Sequence, residues 1–197
     1  MNIAVIFAGG SGRRMHTKDK PKQFLMIHGK PIIVHTLEKF QYHKNIDGII
    51  VVCIEGWIDY MEEMKYRYRL DKIGKIVPGG ETGQMSIYNG LQAAAEVYGE
   101  KDNIVLIHDG VRPLIDNNLI DANIASVKEN GSAITVNLAK ETVILVDDEG
   151  MVTDVPSRAH SRTAQAPQSF WLSDILGVQR EAVAKGITNA IDSCSLM

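Results

Sequence analysis

The sequence predicts an α/β fold, a doubly wound and mostly parallel sheet, and three observations predict it. Short unbroken apolar runs recur at residues 3–7, 48–54 and 104–107. They are too short for helices and too uniformly apolar for half-exposed strands, which is how strands buried on both faces of a parallel sheet read. Amphipathic stretches of helical period separate them, so strand and helix alternate as in βαβ crossovers. The first run passes straight into Gly9, Gly10, Ser11 and Gly12, the kind of loop that follows the first strand of such a sheet.

Each element has its own signal. After the first strand, residues 31–40 place Ile32, Ile33, Thr36, Leu37 and Phe40 at helical spacing. Residues 48–54 form the second strand. Residues 57–70 carry Ile58, Met61, Met64 and Tyr68 on one side of a charged helix, a core-facing stripe. A short strand at 75–77 runs into Pro78, Gly79 and Gly80, a turn signal, and a helix follows from about 85 to 97. The strand at 104–107 ends in His108, Asp109 and Gly110. Residues 119–129 read as a helix, 132–136 as a strand and 173–185 as a last helix. Residues 142–146 and 151–153 read as a hairpin around Asp147, Asp148, Glu149 and Gly150. This hairpin departs from the alternation and reads as an arm leaving the domain. The whole chain, 1–197, is expected to be one domain with an arm at about 138–160.

Composition narrows the function classes. The 197 residues suffice for one sizeable core. A net charge of −3 gives no global field for nucleic acid, so any anion site must be local. Cys53 and Cys194, the two cysteines, have no metal-ligand spacing and imply a reducing, cytoplasmic setting. No targeting segment is read at the start of the chain, where a glycine loop stands in place of a cleavage region. No apolar run approaches the length that spans a membrane. The six histidines do not cluster as a zinc site would require.

In open α/β sheets ligands sit beyond the carboxyl ends of the strands. Three segments of interest fall there: the loop from Ala8, the loop from Gly79 and the turn at His108 and Asp109. Glycines let a ligand approach the main chain, and amides exposed in such a loop receive phosphate oxygens. Arg13, Arg14, Lys20 and Lys22 follow the first loop at once, so cations stand beside an anion-binding backbone. The combination reads as a nucleoside triphosphate site. It is neither G-x-G-x-x-G nor a P-loop, and a plain basic turn is the competing reading of the glycines alone. Asp109 is placed to hold Mg²⁺, which takes oxygen ligands and triphosphates, or else to cap its own turn. Ser86 either bonds a base edge or caps the helix it precedes. Phosphoryl-type transfer needs positioning and positive charge more than covalent help.

Together these residues resemble the cytidylyltransferases that make CDP-polyols, which include the 2-C-methyl-D-erythritol 4-phosphate and ribitol-5-phosphate enzymes. The resemblance runs from Ala4 to about Leu196. It is carried by residues 7–15, Pro21-Lys22-Gln23, Gly79-Gly80 with Ser86 to Leu91, residues 108–113, and Pro156 to His160 running on to Ala166-Pro167-Gln168-Ser169-Phe170. It implies a Rossmann-like nucleotidyltransferase in which a polyol phosphate oxygen attacks the α-phosphorus of CTP and pyrophosphate leaves. Arg14 and Lys22 match the family's transition-state stabilisers. Phe7, Ala8, Gly9, Gly10, Ser11, Gly12, Gly80, Ser86 and Gly110 match its nucleotide contacts, and Asp109 its ligand for Mg²⁺ or another divalent cation. Arg158 matches an arginine that orients the polyol phosphate, with Arg112, Glu141 and Thr142 also at the polyol pocket. In the family the arm carries this arginine into the neighbouring subunit, so a homodimer is implied, without nucleic acid or membrane partners.

The chain departs from the family pattern at several positions. Ala166 and Ile191 stand where the methylerythritol enzymes carry threonines whose hydroxyls face the polyol, Gly83 stands where an arginine is common, and Glu141-Thr142 replaces an Asp-Thr pair. A lost hydroxyl at such a site is costly for specificity. With Pro156-x-Arg158-Ala159-His160 and Trp57-Ile58, this favours D-ribitol 5-phosphate as acceptor and CDP-ribitol, a precursor of teichoic acid or capsule, as product. The methylerythritol reaction of isoprenoid synthesis is the alternative. The family's further strand and helix, with a lysine near the phosphates, are not in the sequence, which leaves a non-catalytic nucleotide-binding module and a transferase for another sugar phosphate as competing expectations.

Overall fold

The structure, a computed structural model, describes residues 1–9 and 20–197. The strands are β1 (Asn2–Ala8), β2 (Met26–Ile27), β3 (Lys30–Pro31), β4 (Gly48–Cys53), β5 (Ile73–Pro78), β6 (Ile104–Asp109), β7 (Ser132–Leu138), β8 (Leu145–Val146), β9 (Val152–Asp154) and β10 (Arg162–Trp171). The helices are α1 (Ile32–Gln41), α2 (Ile58–Arg67), α3 (Gly83–Tyr98), α4 (Asn117–Asn130) and α5 (Leu172–Ala184). A six-stranded sheet runs in the order β5-β4-β1-β6-β10-β7. Its first four strands are parallel, and β10 is antiparallel to both of its neighbours.

Side-chain alternation explains the three layers. Along β1, Ala4, Ile6 and Ala8 face one side of the sheet, while Ile3 and Val5 face the other. The first side packs against Leu37 and Phe40 of α1, Met61 and Met64 of α2 and Ile120 and Val127 of α4. The second packs against Ile87 and Leu91 of α3 and Ile175 and Leu176 of α5. The uniform apolar runs are therefore strands covered on both faces, as their composition requires.

Two elements go beyond the sequence expectation. The strand β10 was not expected, because its run is polar and carries Pro167, which cannot donate to a ladder. The register shifts between Ala164 and Gln168, and the proline sits inside that irregularity. The result is a mixed rather than wholly parallel sheet, with residues 162–165 carried past the end of β6. The small β2–β3 hairpin was also unread; its turn places His28 and Gly29 at φ of 50° and 75°. The expected hairpin of residues 142–153 forms, but its ladder is shorter, starting at Leu145 and ending at Asp154. Among the described residues no helix is long and apolar enough to cross a membrane.

Candidate active site

The pairs Phe7 with Asp109, Ala8 with Cys53 and Cys53 with Pro78 are in register, so β1, β4, β5 and β6 end at one edge. The three segments picked from the sequence meet there. A Cβ on Gly9 would stand 3.2 Å from Ser86 Oγ and 3.7 Å from the Gly79 Cα, so the two glycine turns touch through backbone. The Gly110 amide donates to the Phe7 carbonyl at 3.0 Å, binding the third segment to the first. Only glycine fits Gly80, where a Cβ would lie 2.5 Å from that of Met85.

Ser86 does not cap α3. Thr82 does, accepting from the Met85 amide at 3.1 Å. The cap falls one turn earlier than expected because the helix begins at Gly83. Ser86 Oγ accepts from the Gly80 amide at 3.0 Å and donates to the Thr82 carbonyl at 2.9 Å, so it shapes the second glycine turn.

Lys22 is placed by its neighbours. Pro21 precedes a single 3-10 turn, Lys22–Phe24, and Phe24 is buried, stacked on Trp57 with ring centroids 5.0 Å apart. The buried Gln23 amide donates to the Ala8 carbonyl at the end of β1. Lys22 is thus placed near the end of β1 by the two anchored residues that follow it. Its ammonium makes no hydrogen bond or ion pair among the described residues. Trp57, read as a marker of the ribitol branch, is a packing partner of Phe24. Gly10, Ser11, Gly12 and Arg14 lie outside the described residues.

Asp109 closes β6, and its carboxylate accepts from Arg112 Nε rather than capping its own turn. Arg112 Nη1 donates to Gln165 Oε1 at 2.9 Å, linking the β6 edge to β10. The turn is braced from beneath by His108, buried against Phe40, whose Nε2 donates to the Arg112 carbonyl at 3.0 Å. Burial pushes the His108 pKa down, despite that hydrogen bond, so the ring is neutral near pH 7.

A cleft of about 310 Å³ opens at this edge, lined among others by Phe7, Asp109, Arg112, Gln165, Ala166 and Ile191. Its far wall is the segment after α5, tied down by side-chain amides. Gln84 donates to the Ile187 carbonyl and accepts from the Ala190 amide, both at 2.8 Å. Thr82 donates to the Thr188 carbonyl. Gln168 accepts from the Cys194 amide at 3.0 Å. Burial alone would push the Asp192 carboxyl up, but hydrogen bonds from Cys194, Ser195 and Gln168 outweigh it and hold the pKa below its usual value.

Arg158, Glu141 and Thr142 are not brought to this cleft within one chain. Arg158 donates to Thr142 Oγ1 at 2.9 Å on the exposed arm. The arm leaves Val143, Ile144, Val146, Met151 and Val152 exposed. Sequence reading missed Gln165 and Gln84; a glutamine offers no signal until its partners, 53 and about a hundred residues away, are folded beside it.

The family model described as 2-C-methyl-D-erythritol 4-phosphate cytidylyltransferase matches residues 2–197. The chain belongs to this cytidylyltransferase family. Among curated relatives, the ribitol-5-phosphate cytidylyltransferase of Streptococcus agalactiae serotype III is 59% identical over 197 residues, covering 100% of this chain and 82% of that protein. The 2-C-methyl-D-erythritol 4-phosphate cytidylyltransferase of Clostridium acetobutylicum is 38% identical over 194 residues, covering 98% and 82%. Among solved structures, the 4-diphosphocytidyl-2C-methyl-D-erythritol synthase of Anaerococcus prevotii superposes with a TM-score of 0.83 at 28% identity, covering 99% of this chain and 81% of that one.

Proposed function

We propose that this cytidylyltransferase moves CMP from CTP to D-ribitol 5-phosphate, giving CDP-ribitol and pyrophosphate. The observation that carries the acceptor is the cleft wall. Ala166 and Ile191 both line it, and neither has the hydroxyl that a methylerythritol pocket would offer. The higher identity to ribitol-5-phosphate enzymes supports the same choice.

The chemistry is an in-line displacement. A phosphate oxygen of the acceptor forms a bond to the α-phosphorus, and the bond from that phosphorus to the bridging pyrophosphate oxygen breaks. The glycine turns around Gly9, Gly80 and Gly110, with Ser86, hold the nucleotide. Lys22 and Arg14 neutralise charge that grows on the α-phosphoryl oxygens. Asp109 suits Mg²⁺: it is a partly exposed carboxylate at a strand end, with one oxygen taken by Arg112 and the other without a hydrogen bond among the described residues. A Mg²⁺ bound there by one carboxylate and the triphosphate would lower the charge repelling the acceptor. Arg112 points the acceptor phosphate. Arg158 would complete that pocket from the partner subunit, through an arm whose exposed apolar residues pair with a second copy. A cytoplasmic homodimer is part of the same proposal.

Pyrophosphate release with CTP, Mg²⁺ and a panel of polyol phosphates tests it. Turnover is expected with D-ribitol 5-phosphate and at least tenfold less with the methylerythritol phosphate, about the discrimination one lost hydrogen bond allows. Silence with every polyol phosphate overturns it.

A further inference from the structure

The geometry points to Gln165 as a residue that determines polyol specificity, its side-chain amide donating to one hydroxyl of the acceptor. The assignment rests on the polyol-phosphate reading above and deepens it.

A guanidinium only donates hydrogen bonds, so the Gln165 atom 2.9 Å from Arg112 Nη1 must be the carbonyl oxygen. That fixes which way the amide is turned. Its NH₂ group has no hydrogen-bond partner among the described residues, although the side chain lines the cleft. Arg112 is itself held by Asp109, so Gln165 is attached to a fixed point rather than free to rotate. Two other amide side chains of this wall are engaged elsewhere. Gln84 spends both ends of its amide on the backbone of residues 187–190 and on Gln179. Gln168 receives the Cys194 amide. Ala166, one residue along β10, has nothing to offer, nor has Ile191 opposite.

A polyol hydroxyl needs a donor as well as an acceptor, and a pocket that supplies an oriented donor rejects the analogue that cannot use it. Gln165 supplies that donor on a wall where Ala166 and Ile191 carry no hydroxyl. The same residue aims Arg112 at the phosphate through its carbonyl, so one side chain sets the distance between the acceptor phosphate and one hydroxyl.

The test compares D-ribitol 5-phosphate with its four monodeoxy analogues, measured as kcat/KM in the intact protein. Two variants are used, Gln165→Met, of similar volume, and Gln165→Glu, which keeps an acceptor for Arg112 but lacks the amide donor. The unaltered protein is expected to disfavour one deoxy analogue by about tenfold or more, and both variants to lose that preference at that position alone. KM for CTP should stay within about threefold, since the nucleotide lies at the glycine turns. Equal losses on all five acceptors, or a preference kept in both variants, overturns the assignment while leaving the reaction intact. An unaltered protein silent with every polyol phosphate overturns the underlying reading, and the assignment with it.

Discussion

Gly9 and Ser86 face each other across the sheet edge so closely that a Cβ on Gly9 would stand 3.2 Å from the Ser86 hydroxyl oxygen. One comes from the first glycine loop and the other from a helix more than seventy residues later. Gly9→Ala forces the hydroxyl aside by a few tenths of an ångström and disturbs its bond to the Gly80 amide. The expected result is a folded protein whose KM for CTP rises about tenfold, the scale of a small misplacement in a built site. Ser86→Ala should cost about 1 kcal/mol of stability, one hydrogen bond, and combining it with Gly9→Ala should cost less than the sum. CTP titrations and thermal melts of the three variants measure this.

The closeness depends on Gly90. A Cβ there would lie 2.6 Å from Val5 Cγ1 and 2.7 Å from Val52 Cγ2, so α3 lies flush on the sheet at this point. Gly90→Ala over-packs a buried contact and is expected to destabilise by about 2 kcal/mol. A fall in Tm of about 4–8 °C would register it. A neutral result would mean that α3 floats above the sheet.

The proposed charge stabilisation predicts losses in rate. Lys22→Ala and Arg14→Ala are each expected to lower kcat by about a hundredfold or more, with smaller effects on KM, as when one preorganised donor is removed. Asp109→Asn should bring a loss of similar size, and a chelator should stop the unaltered protein until Mg²⁺ is added back. Single-turnover measurements at saturating substrate separate rate from binding.

The arm gives a test that needs no structure. Arg158→Ala is expected to raise KM for the polyol phosphate far more than KM for CTP. Mixing Arg158→Ala subunits with Lys22→Ala subunits should restore activity, because each mixed dimer carries one site with both residues intact, about one quarter of all sites. Two inactive proteins that stay inactive after exchange would show that the arm serves its own chain.

Much of this molecule is legible without its fold. Apolar runs such as residues 3–7 announce buried strands because nothing else tolerates five consecutive apolar residues between turns. The glycine loop, Lys22 and Asp109 stand out because their chemistry is local to a few positions. The polar strand β10 does not, since Pro167 and five polar residues read as loop until β6 and β7 supply ladder partners. Ser86 was ambiguous for the same reason. Its hydroxyl had two possible uses in the sequence, and the start of α3 at Gly83 removed one of them, the helix cap.

Residue order alone therefore determined the class of fold, the family and the location of the glycine turns, all consequences of short-range pattern. Tertiary structure alone decided the lining of the cleft. The Arg112–Gln165 bond and the wall tied down by Gln84 and Gln168 join residues 26 to about a hundred positions apart. Hydrogen bonds between side chains so distant leave no period or spacing in a sequence, because their geometry exists only once packing has brought the elements together.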